Sequence, residues 1–212
     1  MKIKLFEFNP FPVNSYLLFD DTKQAALIDA GMWAEKEEEE LARYIEQHDL
    51  TLTCLLNTHM HFDHCMDNAY IFQKYGLSPA AHAKDAFFVD NIALQASQFN
   101  IRLPRGPQEI GSYINDGDEI HFGNTTLKAL HVPGHSPGSL VFYCEKEAVL
   151  FSGDVIFKGS VGRADLPGGD FHTLIKGIKE KLLPLPEETV IYPGHGPKTT
   201  IGEEKRYNMY LT

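Results

Sequence analysis

Thr58-His59-Met60-His61-Phe62-Asp63-His64 follows directly on the apolar run Leu52 to Asn57. Four side chains able to bind a metal, His59, His61, Asp63 and His64, fall within six residues at the end of an expected strand. Imidazole nitrogen and carboxylate oxygen are the donors that zinc-type ions accept, at roughly 2.0–2.2 Å. In extended chain, residues i and i+2 share a side. His59 and His61 can therefore serve one ion, and a turn after them can swing Asp63 and His64 towards a second. Met60 and Phe62 alternate with the donors and are expected to pack behind them.

Three later segments repeat the arrangement, each with a donor after an apolar run and beside glycine. They are Leu130-His131-Val132-Pro133-Gly134-His135-Ser136-Pro137-Gly138, Leu150-Phe151-Ser152-Gly153-Asp154, and Val190-Ile191-Tyr192-Pro193-Gly194-His195-Gly196. Glycine permits tight turns and close backbone approach. Strand ends meeting on one rim would bring His135, Asp154 and His195 to the cluster at 59–64.

Around these segments the chain reads as strand-rich stretches alternating with helices. Lys2 to Phe8, Ser15 to Phe19 and Ala25 to Asp29 are expected strands, and Glu35 to Gln47 an expected helix with an acidic, solvated first turn. Asn68 to Tyr75 reads as helix with Gly76 as its stop. Pro79 to His82 is an expected short strand, and Ala83 to Phe99 helix. Residues 100–118 read as a loop of the kind that faces substrate. Strands are expected at 119–122, 126–131, 139–145, 148–152 and 189–192, with a helix over 171–183. The order strand-rich, helix, strand-rich, helix occurs twice. That predicts an α/β (α+β) architecture: a four-layer αβ/βα sandwich of two mixed sheets flanked by helices, in one domain spanning 1–212.

Bulk properties exclude several classes. The 212 residues are 43% apolar and 23% charged, as in a globular protein, and the net charge is −10, which argues against nucleic acid as a partner. No apolar stretch reaches membrane-spanning length, and the N-terminus lacks the apolar core of a signal peptide. Cys54, Cys65 and Cys144 are odd in number and widely spaced, so no disulfide framework is expected. A cytoplasmic protein, monomeric or homodimeric, is the expectation. Cys65 reads as a small buried hydrophobe, His82, His131 and His172 as structural, His48 and His121 as solvated, and Trp33 as core.

The series Asp29, His59-x-His61-x-Asp63-His64, His135, Asp154, His195 resembles the five-motif signature of the metallo-β-lactamase superfamily over nearly the whole chain. Phe157 to Asp170 and Pro193 to Arg206 are similar to its glyoxalase II-like branch, above all the short bacterial hydroxyacylglutathione hydrolase-like members. The resemblance implies two divalent metal ions, zinc first, with iron or manganese as alternatives. Metal 1 would take His59, His61 and His135, and metal 2 Asp63, His64 and His195. Asp154 would bridge them, with Asp63 and Asp154 catalytic and Asp29 holding a ligand from behind. It implies cleavage of thioesters, S-lactoylglutathione or related hydroxyacyl thioesters, by a hydroxide shared between the ions. Arg163 stands where the family has a glutathione-binding lysine, and with Lys158 is expected to anchor a substrate carboxylate. Pro197 replaces a family tyrosine, and the chain stops before the helical region that contacts glutathione in longer members. The competing expectations are an iron persulfide dioxygenase using His59, His135 and Asp154, and a metal-binding module without turnover.

Overall fold

A computed structural model describes all residues, 1–212. The first half supplies strands β1 (Lys2–Phe8), β2 (Val13–Phe19), β3 (Gln24–Ile28), β4 (Thr51–Leu56), β5 (Pro79–Ala81) and β6 (Ser112–Tyr113), which form one mixed sheet in chain order. The second half supplies β7 (Glu119–Phe122), β8 (Thr125–His131), β9 (Leu140–Cys144), β10 (Val149–Gly153), the hairpin β11 (Ile156–Phe157) and β12 (Ser160–Val161), then β13 (Val190–Pro193) and β14 (Thr199–Thr200). Its large sheet runs β14-β13-β10-β9-β8-β7. The helices are α1 (Glu35–Gln47), a single turn α2 (Phe62–Cys65), α3 (Asn68–Tyr75), α4 (Ala86–Gln98), α5 (Phe171–Gly177) and α6 (Ile201–Tyr207).

Strand alternation sorts the side chains into layers. On β2 and β3, Leu17, Phe19, Ala25 and Leu27 face Leu41 and Ile45 of α1 and Ile71 of α3. Their neighbours Tyr16, Leu18, Ala26 and Ile28 face the other sheet, meeting Leu127, Ala129, Phe142 and Phe151. Across β9 the pattern repeats: Phe142 points between the sheets, while Val141 and Tyr143 pack outward with Leu174 of α5 and with Ile178 and Leu182. Two sheets with helices outside each give the expected αβ/βα sandwich.

Several local expectations change. Residues 83–85 form a separate tight turn before α4, and the helix over 171–183 widens after Gly177 into a turn with a longer hydrogen-bond period over Ile178–Leu182. β6 breaks the expected 100–118 loop as an edge strand on β5. The rest of that loop is tied down: Arg105 donates to Glu38 and Asp67, and Trp33 Nε1 donates to the Arg102 carbonyl at 3.0 Å. Glu38 is thus buried and paired instead of solvated, and Trp33 is partly exposed instead of core. Glu37 accepts from the Trp33 and Asn9 backbone amides. The C-terminal helix α6 is capped by Thr200, whose Oγ1 accepts from Glu203 N at 3.2 Å.

β3, β4 and β5 run parallel, as do β10 and β13, and β8 and β10 share a direction because each is antiparallel to β9. Hence the chain leaves β4, β8, β10 and β13 at one rim. That rim is stitched across the sheets. Asn14 N donates to the Gly194 carbonyl (2.7 Å), Tyr16 OH to the Pro193 carbonyl (2.7 Å), and Leu140 N to the Thr58 carbonyl (2.7 Å).

Phe142 is wholly buried between the sheets. Phe142→Ala should cost about 3–5 kcal/mol of stability in urea unfolding; a loss below about 1 kcal/mol would mean the sheets repack freely. At the same rim the rings of His82 and His131 stack at 4.0 Å and 5°. Burial and the facing imidazole lower His82 to about 4, and burial lowers His131. Unfolded histidine titrates near 6.5, so below that pH the unfolded chain takes up protons that the folded pair refuses. Stability should drain away from pH 6.5 down to about 4. In metal-free protein, His82→Phe should flatten that loss; parallel pH profiles would show that the stack does not titrate.

Candidate metal centre

The loops leaving the rim strands place every expected donor in one buried cluster. His59 and His61 lie on the extended segment after β4, and α2 then turns Asp63 and His64 to the far side. His135 follows β8, Asp154 ends β10, and His195 follows β13. His59, His61, His64 and His135 are buried, while Asp63, Asp154 and His195 keep a narrow face to solvent. Gly194 is dictated by this crowding: a Cβ there would lie 2.3 Å from Asp154 Oδ1 and 2.7 Å from His64 Cε1.

The donors form two sets. In the first, His135 Nε2 lies 3.2 Å from His59 Nε2 and 2.9 Å from His61 Nδ1. In the second, His64 Nε2 and His195 Nε2 are 3.2 Å apart, and Asp63 Oδ2 is 3.4 Å from His195 Nε2 and 3.7 Å from His64 Nε2. Asp154 stands between them. Its Oδ1 is 3.4 Å from His64 Nε2, and its Oδ2 is 3.6 Å from both His135 Nε2 and His195 Nε2.

The outer atoms decide what the inner nitrogens carry. His135 Nδ1 meets the Arg163 carbonyl at 2.7 Å and His195 Nδ1 the Pro12 carbonyl at 3.2 Å. Carbonyls only accept, so both rings hold their proton on Nδ1. His64 Nδ1 donates to Asp29 Oδ2 at 2.9 Å. Thr58 Oγ1 donates to the same oxygen at 2.7 Å and therefore accepts from His59 Nδ1 at 3.0 Å. These partners turn Nε2 of all four rings inward, at separations that call for positive charge among them, a proton or a metal ion. His61 Nε2 and Asp154 Oδ1 are buried and have no hydrogen-bond partner.

Charge leans the same way. Burial and the neighbouring imidazoles hold His59 well below its ordinary pKa and His61 at about 3. Burial also lowers His135. For His64 burial is outweighed by Asp154 and Asp63, which raise it well above the ordinary value. For His195 burial is likewise outweighed, by the Asp63 hydrogen bond and Asp154, and its pKa is raised. The first set is neutral donors and the second draws in positive charge. Tetrahedral donors around a zinc-type ion lie about 3.4 Å apart, in line with these spacings, so the residues fit two divalent ions.

Asp29 sits behind the second set, with a left-handed backbone (φ 58°) and 1% exposure. Its Oδ1 also accepts from Thr58 N at 2.8 Å, which fixes the start of the donor loop. Three supports escaped sequence reasoning. The Arg163 and Pro12 contacts are made by backbone carbonyls, which leave no residue signature, and Thr58 reads as an ordinary strand end. Asp85 is a fourth omission, buried against the donor loops. Cys65 Sγ turns away to the His61 carbonyl. The Arg163 guanidinium makes a two-point ion pair with exposed Asp165 at 2.7 and 2.8 Å. Lys158 stands exposed at the tip of the β11–β12 hairpin.

Residues 8–195 match the family model of the metallo-beta-lactamase superfamily. The hydroxyacylglutathione hydrolase GloC of Haemophilus influenzae is 38% identical, with 100% of this chain and 98% of that protein covered. Among solved structures, the BLEG-1 B3 metallo-beta-lactamase superposes with a TM-score of 0.91 at 36% identity, covering 100% of both chains. TTHA1623 in a di-iron-bound form has a TM-score of 0.87, also at 36% identity, with 98% of this chain and 100% of that chain covered. With its donor segments and sandwich of sheets, the chain belongs to the metallo-beta-lactamase superfamily.

Proposed function

We propose that the protein is a binuclear metal-dependent hydrolase of thioesters, with hydroxyacyl-glutathione thioesters as its substrate class. One observation carries the reading: two sets of inward lone pairs share the carboxylate of Asp154. His59, His61 and His135 would hold the first ion and Asp63, His64 and His195 the second, with Asp154 between the two sets. Two such ions, zinc first among the candidates, supply Lewis acidity towards a carbonyl and lower the pKa of a water between them towards neutrality.

The chain's own residues do the rest. Asp29, through His64 and Thr58, and the Arg163 and Pro12 carbonyls, on His135 and His195, lock four rings in the tautomer that turns Nε2 inward. Asp63 and Asp154 set the charge of the second half and favour a cation there. Four of the five imidazoles turn an outer nitrogen to a fixed partner, and burial holds the fifth, His61, too low to carry a proton to a leaving group. A thiolate, whose conjugate acid has a pKa of about 8.5, departs without that help; an amine does not. This favours thioesters, and the similarity to a hydroxyacylglutathione hydrolase over the full chain supports them.

Elemental analysis of purified protein should find two divalent ions per chain, and S-lactoylglutathione should be hydrolysed without oxygen. His59→Ala and Asp154→Asn should each lose metal and reduce kcat/KM by about 100-fold or more. Metal-loaded protein that leaves thioesters intact but opens a β-lactam, or consumes oxygen with glutathione persulfide, would overturn the assignment. Arg163, with Lys158, is proposed to meet a substrate carboxylate. Since Asp165 already neutralises Arg163, Arg163→Ala should raise KM for an anionic thioester only about two- to fivefold, with kcat unchanged. An unchanged KM would remove Arg163 from substrate binding.

A further inference from the structure

Asp85 closes the tight turn between β5 and α4. Aspartate in front of a helix ordinarily caps it with its side chain; here the side chain makes no cap hydrogen bond. The carboxylate instead lies fully buried between the two loops that carry the first donor set. Oδ2 accepts from Met60 N at 3.1 Å and from Ser136 Oγ at 2.8 Å, and Oδ1 accepts from Gly138 N at 2.6 Å. Met60 stands between His59 and His61, and Ser136 follows His135. Ser136 Oγ also meets Ser139 Oγ at 2.9 Å, which in turn accepts from Ser136 N at 3.1 Å, so the hydroxyls extend the tie along the His135 loop. Asp85 has no hydrogen bond to any imidazole; it bonds the chain on either side of them.

Gly138 belongs to the same device. A Cβ at 138 would lie 2.6 Å from both Cγ and Oδ1 of Asp85, so glycine there lets the carboxylate reach the amide. Burial lifts Asp85 to about 6 against the pull of its three donors, which is a cost to stability near neutral pH that a neutral side chain would avoid. The geometry points to Asp85 as the positioning residue of the first ion: it fixes the spacing of the His59–His61 segment against His135, and so tunes that half of the centre alone. Asp29 does the equivalent for the second half through His64. This inference rests on the reading that the first set holds a cation.

The test uses the full chain stripped of metal and titrated with zinc against a chelating indicator. His195→Ala reports binding through the first set, and His135→Ala binding through the second. In the His195→Ala background, Asp85→Asn should weaken zinc binding about 10- to 100-fold, because an amide must set an N–H against Met60 N, Ser136 Oγ or Gly138 N. In the His135→Ala background, the same change should leave affinity within about twofold. Ser136→Ala removes one of the three donors and should weaken the first set less, about threefold; it carries the test if Asp85→Asn does not fold. Equal losses at both sets, or none at the first, would overturn the role of Asp85 while two-metal binding stands. If the His195→Ala protein takes up no zinc, the reading of the first set falls, and this inference with it.

Discussion

Four imidazoles, each protonated on the outside by a fixed acceptor, aim bare nitrogens at one another across about 3 Å of buried space. Lone pairs do not attract; burial discourages protonation in the first set, while Asp63 and Asp154 favour positive charge in the second. A cation among the donors would supply the positive charge that this arrangement lacks. The rim is built for this. Asn14 and Tyr16 of the first sheet clasp the Pro193–Gly194 turn that precedes His195, and Leu140 of the second sheet clasps Thr58. Those cross-sheet bonds hold the donor loops together at the rim.

The two halves of the centre differ in charge, and the difference comes from chain geometry. The extended segment 59–61 can offer only alternate side chains to one side, and both are histidine. The single turn α2 reverses that alternation and delivers Asp63 beside His64. The first half is therefore all imidazole, which suits ions of borderline softness, while the second mixes carboxylate with imidazole and favours a harder partner. Asp154 shares its two oxygens between the halves. The same donors thus accommodate zinc or iron, in keeping with the di-iron form of a structural relative.

Much of this was legible in the sequence because it is periodic or local. The His59–His64 run, the glycine-flanked donors and the alternation of β2 are patterns of a few residues, and the sandwich follows from their order. Helix α1 starts and stops where its apolar spacing indicates. What escaped is what depends on partners distant in the chain. Glu38 looks like one of a solvated acidic run until Arg105 arrives from a loop 67 residues away. Trp33 looks like core until its indole bonds the Arg102 carbonyl instead. Helix α6 carried a readable cap in Thr200 but is short, and Glu204, which holds the Gly159 amide and Thr199, is buried by tertiary contact alone. Thr58 and the Arg163 and Pro12 carbonyls have no signature, since any residue type offers a carbonyl.

The charge balance of the entrance bears on how a substrate is held. The chain is acidic overall, and Arg163 is already matched by Asp165 at two points. An anionic substrate gains little from such a site, because each contact it makes must displace a carboxylate that is covalently close and already oriented. Long-range attraction is weak for the same reason. In the proposed hydrolase, binding energy would then concentrate on the reacting group and less on distant carboxylates. On the proposed function, such a site would discriminate by the bond it breaks more than by the handle attached to it.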